Sequence, residues 1–304
     1  MSNFEKLQDR LAAGETILMD GGMGSEIERR GLISPTTWSG GPMLTHPDAV
    51  RDIHQEYIEA GAEIIITNTF GTGRDMLEEG GIEDKVTEAN RLGIEAAVQA
   101  RRNAGADESV VIAASVSTMR PKAHAEVPVP YETALATYRE QLDELAKGGA
   151  DVVVGEMLVR ISDTLAVIDA ATELGLPVWV GLSLVRDGDG LYLGIQDRHG
   201  GETLQDALDA IKDKGVAAVF VMHTPVDDTG PGLEIVRQSW PGIFGAYAHF
   251  PRSASPPSQP NATDPQSYLE YAKGWSEQGA RIIGGCCGTR PDHIQVLKEW
   301  LSGS

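Results

Sequence analysis

The sequence predicts a single (β/α)8 barrel, an α/β fold in which a ring of parallel strands is wrapped by helices, with residues 1–304 as one domain. Three observations predict it. Eight short apolar runs lack polar–apolar alternation, as expected of parallel strands buried on both faces. Helical patterns separate these runs, and no domain-sized linker interrupts them. One small unit also recurs, a Gly-Ala pair followed by a charged residue and an apolar run: "AGAEIIITNTF" (60–70), "GGADVVVGEM" (148–157) and "QGARIIGGCC" (278–287). The glycine of that unit suits the left-handed end of a helix, and the run after it suits a buried strand.

In chain order, "MSNFEKLQDRLAAGE" is a charged helical pattern without the apolar core of a signal peptide. The first strand candidate, "TILMDGG" (16–22), follows it. The helical "HPDAVRDIHQEYIEA" (46–60) leads into the second, within 60–70, and "SVVIAASVS" (109–117) is the third. "YETALATYREQLDELAK" (131–147) precedes the fourth, within 148–157, and "DTLAVIDAATEL" (163–174) precedes the fifth, "LGLPVWVGLSL" (174–184). "KGVAAVFVMHT" (214–224), "PGIFGAYAH" (241–249) and the run ending in the two cysteines complete the set. The Gly/Asp-rich "RDGDGLYLGIQDRHGG" (186–201) and the Pro/Ser-rich "FPRSASPPSQPNATDPQ" (250–266) read as loops over the barrel mouth.

Composition narrows the function. The formal net charge is −20, and the adjacent basic pairs Arg29-Arg30 and Arg101-Arg102 read as helix surface, so nucleic-acid and anionic-membrane partners are not expected. No apolar run approaches the ~20 residues of a membrane-spanning helix. Two cysteines do not make a disulfide framework, which points to a reducing cytoplasm.

In such barrels chemistry sits at the C-terminal strand ends. Those ends carry Asp20, Asn68, Ser115 and Ser117, Glu156, His223, His249, and the adjacent Cys286 and Cys287. Cys286, Cys287 and His223 meet the requirement of a catalytic zinc site for three protein ligands and one open position. Adjacent residues on a straight strand point to opposite faces, so both sulfurs reach one ion only if the backbone turns. Gly284, Gly285 and Gly288 permit that turn. Thr289 and Asp292 have capping-box spacing at the start of the next helix, whose amides would favour a thiolate. Other readings stand beside these: a buried cysteine pair, a hydrogen-bonded structural His223, and Asp20 as a turn residue. Glu156 is harder to dismiss, because an unpaired carboxylate after "VVVG" is costly. His46, His54, His124, His199 and His293 are assigned to surfaces, caps or loops.

"ILMDGGMGSEIERRG" (17–31), "HPDAVRDIHQEYIEAGAEIIITNTF" (46–70), "VVVGEM" (152–157) and "GARIIGGCCGTRPDHIQVL" (279–297) resemble the homocysteine-binding methyltransferase family, in order and over nearly the whole chain. The resemblance implies a zinc-bearing (β/α)8 barrel, with the metal held by the vicinal cysteines and by a third cysteine at the end of the sixth strand. Cys286 and Cys287 match the pair, while His223 stands where the third is expected, with His249 next in line. Asp20 and Glu156 match the carboxylates that hold the amino group of the thiol substrate, and amides around Gly22 and Met23 would take its carboxylate. Trp38 matches an aromatic near the transferring methyl group, and Asn68 and Ser115 join the substrate-binding candidates. Two departures surround the donor side: Tyr247-Ala248-His249 replaces the usual Tyr-Pro-Asn, and "SVSTMRPKA" replaces a Gly-rich segment.

The implied activity is zinc-dependent methyl transfer to the thiol of homocysteine, giving methionine, from a small donor such as S-methylmethionine or a betaine. Alternatives are another thiol acceptor, a zinc hydrolase with Glu156 as base, and a non-enzymatic zinc- or thiol-binding protein.

Overall fold

The computed structural model describes residues 1–34, 36–37, 39–118, 129–195, 198–249 and 264–303. In chain order the elements are α1 (Asn3–Ala12), β1 (Ile17–Leu18), α2 (Met23–Arg29), α3 (Pro42–Thr45), α4 (Pro47–Ala60), β2 (Ile64–Ile66), α5 (Arg74–Glu79), α6 (Val86–Asn103), β3 (Val111–Ser117), α7 (Tyr131–Lys147), β4 (Val152–Leu158), α8 (Ile161–Glu173) and β5 (Val178–Leu182). They continue as β6 (Leu184–Asp187), β7 (Gly190–Ile195), β8 (Arg198–Thr203), α9 (Leu204–Ile211), β9 (Ala218–Pro225), α10 (Val226–Ser239), β10 (Ile243–His249), α11 (Pro265–Glu277), β11 (Ile282–Gly285) and α12 (Pro291–Ser302).

Eight strands form one sheet in the order β1-β11-β10-β9-β5-β4-β3-β2, with every pairing parallel. A parallel bridge between Met19 and Ile64 joins the two ends of that order and closes the (β/α)8 barrel. All eight predicted strands are present. The recurring unit behaves as its residues require: Gly61, Gly149 and Gly279 end their helices at φ of 113°, 98° and 105°, where a side chain would be strained. The apolar runs after them are buried throughout, and each Ile or Val so buried contributes about 1.5–3 kcal/mol before conformational entropy is counted.

Two apolar layers result. Ile64, Val152, Trp179 and Phe220 fill the barrel interior, and α1 closes its lower end with Leu7 and Leu11. Asn3 ties α1 to the start of β3 by donating to the carbonyls of Asp107 and Val110 at 2.8 and 2.9 Å. The second layer lies between strands and helices. No helix among the described residues is long and apolar enough to cross a membrane.

Two expectations need correction. Most of residues 186–201 are not a loop but belong to a three-stranded antiparallel sheet, β6-β7-β8. Asp187 pairs with Gly190 across a two-residue turn in which Gly188 has φ 56°, so "RDGDGL" is a hairpin signal. His54 is not on the surface. It is fully buried in α4, which packs against α6, α12 and α2. Most of the predicted second mouth loop (250–266) lies outside the described residues, as does His124.

Candidate metal centre

The ends of β1 and β11 interlock through glycine. The Gly285 amide donates to the Asp20 carbonyl at 3.1 Å, and the Gly22 amide donates to the Thr289 carbonyl at 2.9 Å. A Cβ on Gly22 would sit 2.6 Å from the Cys286 carbonyl oxygen, and one on Gly284 would sit 2.7 Å from that of Asp20. Both Gly-Gly pairs therefore answer to close backbone approach.

After β11 the chain turns. Thr289 N–H donates to the Cys286 carbonyl at 3.0 Å and Gly288 has φ 87°, the pattern of a type II turn with glycine at its third position. The turn brings the Cys286 and Cys287 sulfurs to the same side, 3.7 Å apart, with both thiols free. The expected capping box does not form at Thr289 and Asp292. Helix α12 starts at Pro291 with Arg290 as N-cap, whose amide donates to His293 Nδ1, because proline suits the first helical position. The helix thus begins four residues past Cys287, and the turn rather than the helix start sets the cysteine geometry.

His223 arrives from β9 through a bulge. Three steps along β9, from Met222 to Pro225, oppose two along β10, from Tyr247 to His249. His223 carries the excess in a left-handed conformation, φ 48°. Glu156 sits beside an equivalent bulge, where Gly155 to Leu158 of β4 opposes Val180 to Leu182 of β5, with Met157 at φ 56°. These are the only described non-glycine residues with positive φ, and such strain persists where a side chain must be re-aimed.

His223 Nδ1 lies 3.2 Å from Cys286 Sγ and 3.8 Å from Cys287 Sγ. Among the described residues these three form the one cluster of metal-ligating side chains. A tetrahedral zinc with Zn–S near 2.3 Å and Zn–N near 2.0–2.1 Å spaces its donors roughly 3.5–3.8 Å apart. The observed triangle fits such an ion with only a small opening of its shortest edge. The hydrogen bond between the thiols, with His223 adding, holds Cys287 well below the ordinary thiol range. The same contact and burial push Cys286 well above it. The shared hydrogen bond thus sets the two thiols apart in acidity.

The cluster opens onto a cavity of about 380 Å³ at the C-terminal mouth, lined also by Glu156, Asn68, Met23 and Tyr247. Burial raises the Glu156 carboxyl to about 7, although the Ser115 hydroxyl donates to its Oε2 at 2.6 Å. Asp20 is fully buried and does not line the cavity. Its Oδ2 accepts from the Ile66 amide at 2.8 Å, and its Oδ1 lies 3.3 Å from the Tyr247 hydroxyl. Burial pushes Asp20 well above the usual carboxylate range; the Ile66 amide opposes this and the charge of Glu156 adds to it.

The structure thus gathers Cys286, Cys287, His223 and Glu156 around one space, and Asn68 lines it while donating to the Ser39 carbonyl at 2.9 Å. Ser115 is fully buried and steadies Glu156 from outside the cavity wall. Gly22 contributes no free amide, since Thr289 occupies it, whereas Met23 opens α2 without a side-chain cap before it. Trp38 lies outside the described residues. His249 packs its ring 4.7 Å from that of His223, at 50°. Sequence reasoning missed Tyr247 as the link between the cavity wall and Asp20, and Met76 and Glu79 of α5 as lining residues. Tyr247 has a signal, an inward-facing polar aromatic near a strand end. The α5 pair has none, because a short helix beside the mouth is placed only by packing.

Comparison with known proteins places this site in context. The chain is 28% identical to betaine–homocysteine S-methyltransferase 1 of Danio rerio, across 97% of this chain and 75% of that protein. It is 25% identical to S-methylmethionine–homocysteine S-methyltransferase BHMT2 of Rattus norvegicus, across 97% and 80%. The barrel superposes on the metallated homocysteine methyltransferase MmuM of Escherichia coli with a TM-score of 0.79 at 24% identity, covering 97% of this chain and 99% of that one. Residues 17–301 match the profile of the family described as homocysteine S-methyltransferase, and the chain belongs to that family.

Proposed function

We propose that this chain, read as one barrel domain, is a zinc-dependent methyltransferase that moves a methyl group from a small sulfonium or ammonium donor to the thiol of homocysteine, giving methionine. The observation that carries the proposal is the convergence of a His/Cys/Cys triangle and a half-buried carboxylate on one cavity. Cys286, Cys287 and His223 would hold the metal. Bound there, zinc would supply the Lewis acidity that keeps an acceptor thiol ionised at neutral pH.

The remaining work belongs to the protein. Glu156 receives the acceptor's ammonium group, which stabilises its charged form against burial. Asp20, behind Ile66 and Tyr247, supports that end of the site through hydrogen bonds and makes no direct contact with the acceptor. The first turn of α2, from Met23, presents amides to the acceptor's carboxylate. The acceptor sulfur then attacks the donor methyl carbon in line. A carbon–sulfur or carbon–nitrogen bond breaks, its electron pair stays on the departing atom, and the thiol proton has already left to solvent. The donor leaves neutral at that atom and needs no general acid, so catalysis rests on positioning and on a desolvated thiolate.

One observation favours a second reading. A Glu156 pKa near 7 also suits a general base, as in a zinc hydrolase. Mass-spectrometric detection of methionine from homocysteine, with S-methylmethionine or glycine betaine as donor, separates the two. Absence of methylated product with every donor, together with hydrolysis of an ester or amide probe, would sink the first reading. A different methylated thiol would keep the chemistry and change only the acceptor.

A further inference from the structure

The outer half of the cavity differs from the metal end. Met76 and Glu79 lie three residues apart on α5, so one helix face carries both over the mouth. Phe70 and Met157 also line the cavity. Among the described residues that line the cavity there is no Lys or Arg, and the only carboxylates are Glu156 and Glu79. Glu79 is exposed, and no ion pair to it occurs among the described residues.

We infer that Glu79 is a specificity-determining residue, which binds an ammonium group on the methyl donor and so selects a donor of net positive charge over a zwitterionic betaine. The inference rests on the methyltransferase reading and deepens it. Glu156 shares the cavity with the metal cluster and, on that reading, serves the acceptor's amine. A second, outer carboxylate is left for the second substrate. Thioethers and an aromatic ring suit the onium centre itself, through polarisability and the ring quadrupole. A sulfonium that also carries an α-ammonium and a carboxylate has a net charge of +1. A betaine is neutral overall, and its carboxylate would face Glu79 with no cation from the described lining to meet it. The chain's net charge of −20 acts in the same direction by raising the encounter rate of cations. In the transfer the donor's S–CH3 bond breaks, its electron pair remains on sulfur, and the donor departs as a neutral thioether. The contact with Glu79 is therefore distant from the charge that disappears, and it acts on binding more than on the chemical step.

The test uses the zinc-loaded full chain with homocysteine and two sulfonium donors, S-methylmethionine and dimethylsulfonioacetate, which lacks the ammonium. The readout is the ratio of kcat/KM for the first donor to that for the second. Glu79→Gln is expected to lower that ratio about fivefold, through KM, and Glu79→Lys to lower it further, as for a partly solvated charge pair. A ratio within about twofold of the parent in both variants overturns the proposal. Titration calorimetry of S-methylmethionine into parent and Glu79→Lys protein reads binding without turnover. If the parent transfers no methyl group from any donor, the methyltransferase reading fails on its own. An unchanged Kd in Glu79→Lys then rejects the role of Glu79 independently.

Discussion

His223 Nδ1 lies 3.2 Å from Cys286 Sγ, although 63 residues separate them in the chain. Their meeting depends on a β-bulge on one side and a glycine turn on the other. Each is a local distortion of a strand end, and only the closed barrel brings the two distortions together.

Substituting either cysteine removes a sulfur from this triangle. Cys286→Ser and Cys287→Ser are each expected to lower bound zinc to below about a tenth of an equivalent, with loss of turnover and an unchanged far-UV spectrum. Metal analysis by mass spectrometry checks this. Full occupancy in either variant would show that the metal sits elsewhere.

At His223 the residue type matters as well as its presence. His223→Ala is expected to weaken zinc binding by about a hundredfold or more, whereas His223→Cys retains it, because a thiolate is an equally natural zinc donor. Competition with a chromogenic chelator measures both. Parent-like affinity in the alanine variant would transfer the third position to another group, with His249 the nearest imidazole.

Glu156 is half-buried on the cavity wall, where its partner's charge matters. Glu156→Gln is expected to weaken binding of an amino-acid thiol by about 2–4 kcal/mol and to leave a simple alkyl thiol little affected. Calorimetric titration with homocysteine and with a thiol lacking the amine makes the comparison. Equal losses for the two would assign Glu156 to proton transfer instead.

His54 sets a pH limit on the fold. Burial lowers its pKa to about 3, and neither ring nitrogen has a hydrogen-bond partner among the described residues. A depressed histidine contributes stability that is present above the unfolded value of about 6.5 and is lost as pH falls from there toward 3. In that window the unfolded chain takes up a proton that the native state refuses, at about 1.4 kcal/mol per pH unit. His54→Leu is expected to flatten this limb of a urea-denaturation series between pH 6.5 and 4. An acid limb of unchanged slope would refute the assignment.

The sequence by itself determines the parts of this protein whose causes are local. Uninterrupted Ile and Val runs must be buried on both faces, and a glycine between helix and strand must supply the left-handed turn, so the eight-strand barrel is legible in the chain. Cys286 and Cys287 are legible too, since Gly288 marks the turn that lets adjacent side chains share one side. Asp20 shows where such reading stops. Its position at a strand end is evident from sequence, but its withdrawal behind Ile66 and Tyr247 depends on neighbours from other strands. The same holds for the Gly22 amide, taken by a carbonyl that lies 267 residues away (289 − 22), and for Glu79, set over the mouth by a short helix. Burial of His54 likewise follows from helices packing on several sides of α4, a condition that no pattern within α4 encodes. Tertiary structure decides these positions because hydrogen-bond occupancy and solvent access belong to assembled surfaces rather than to individual residues.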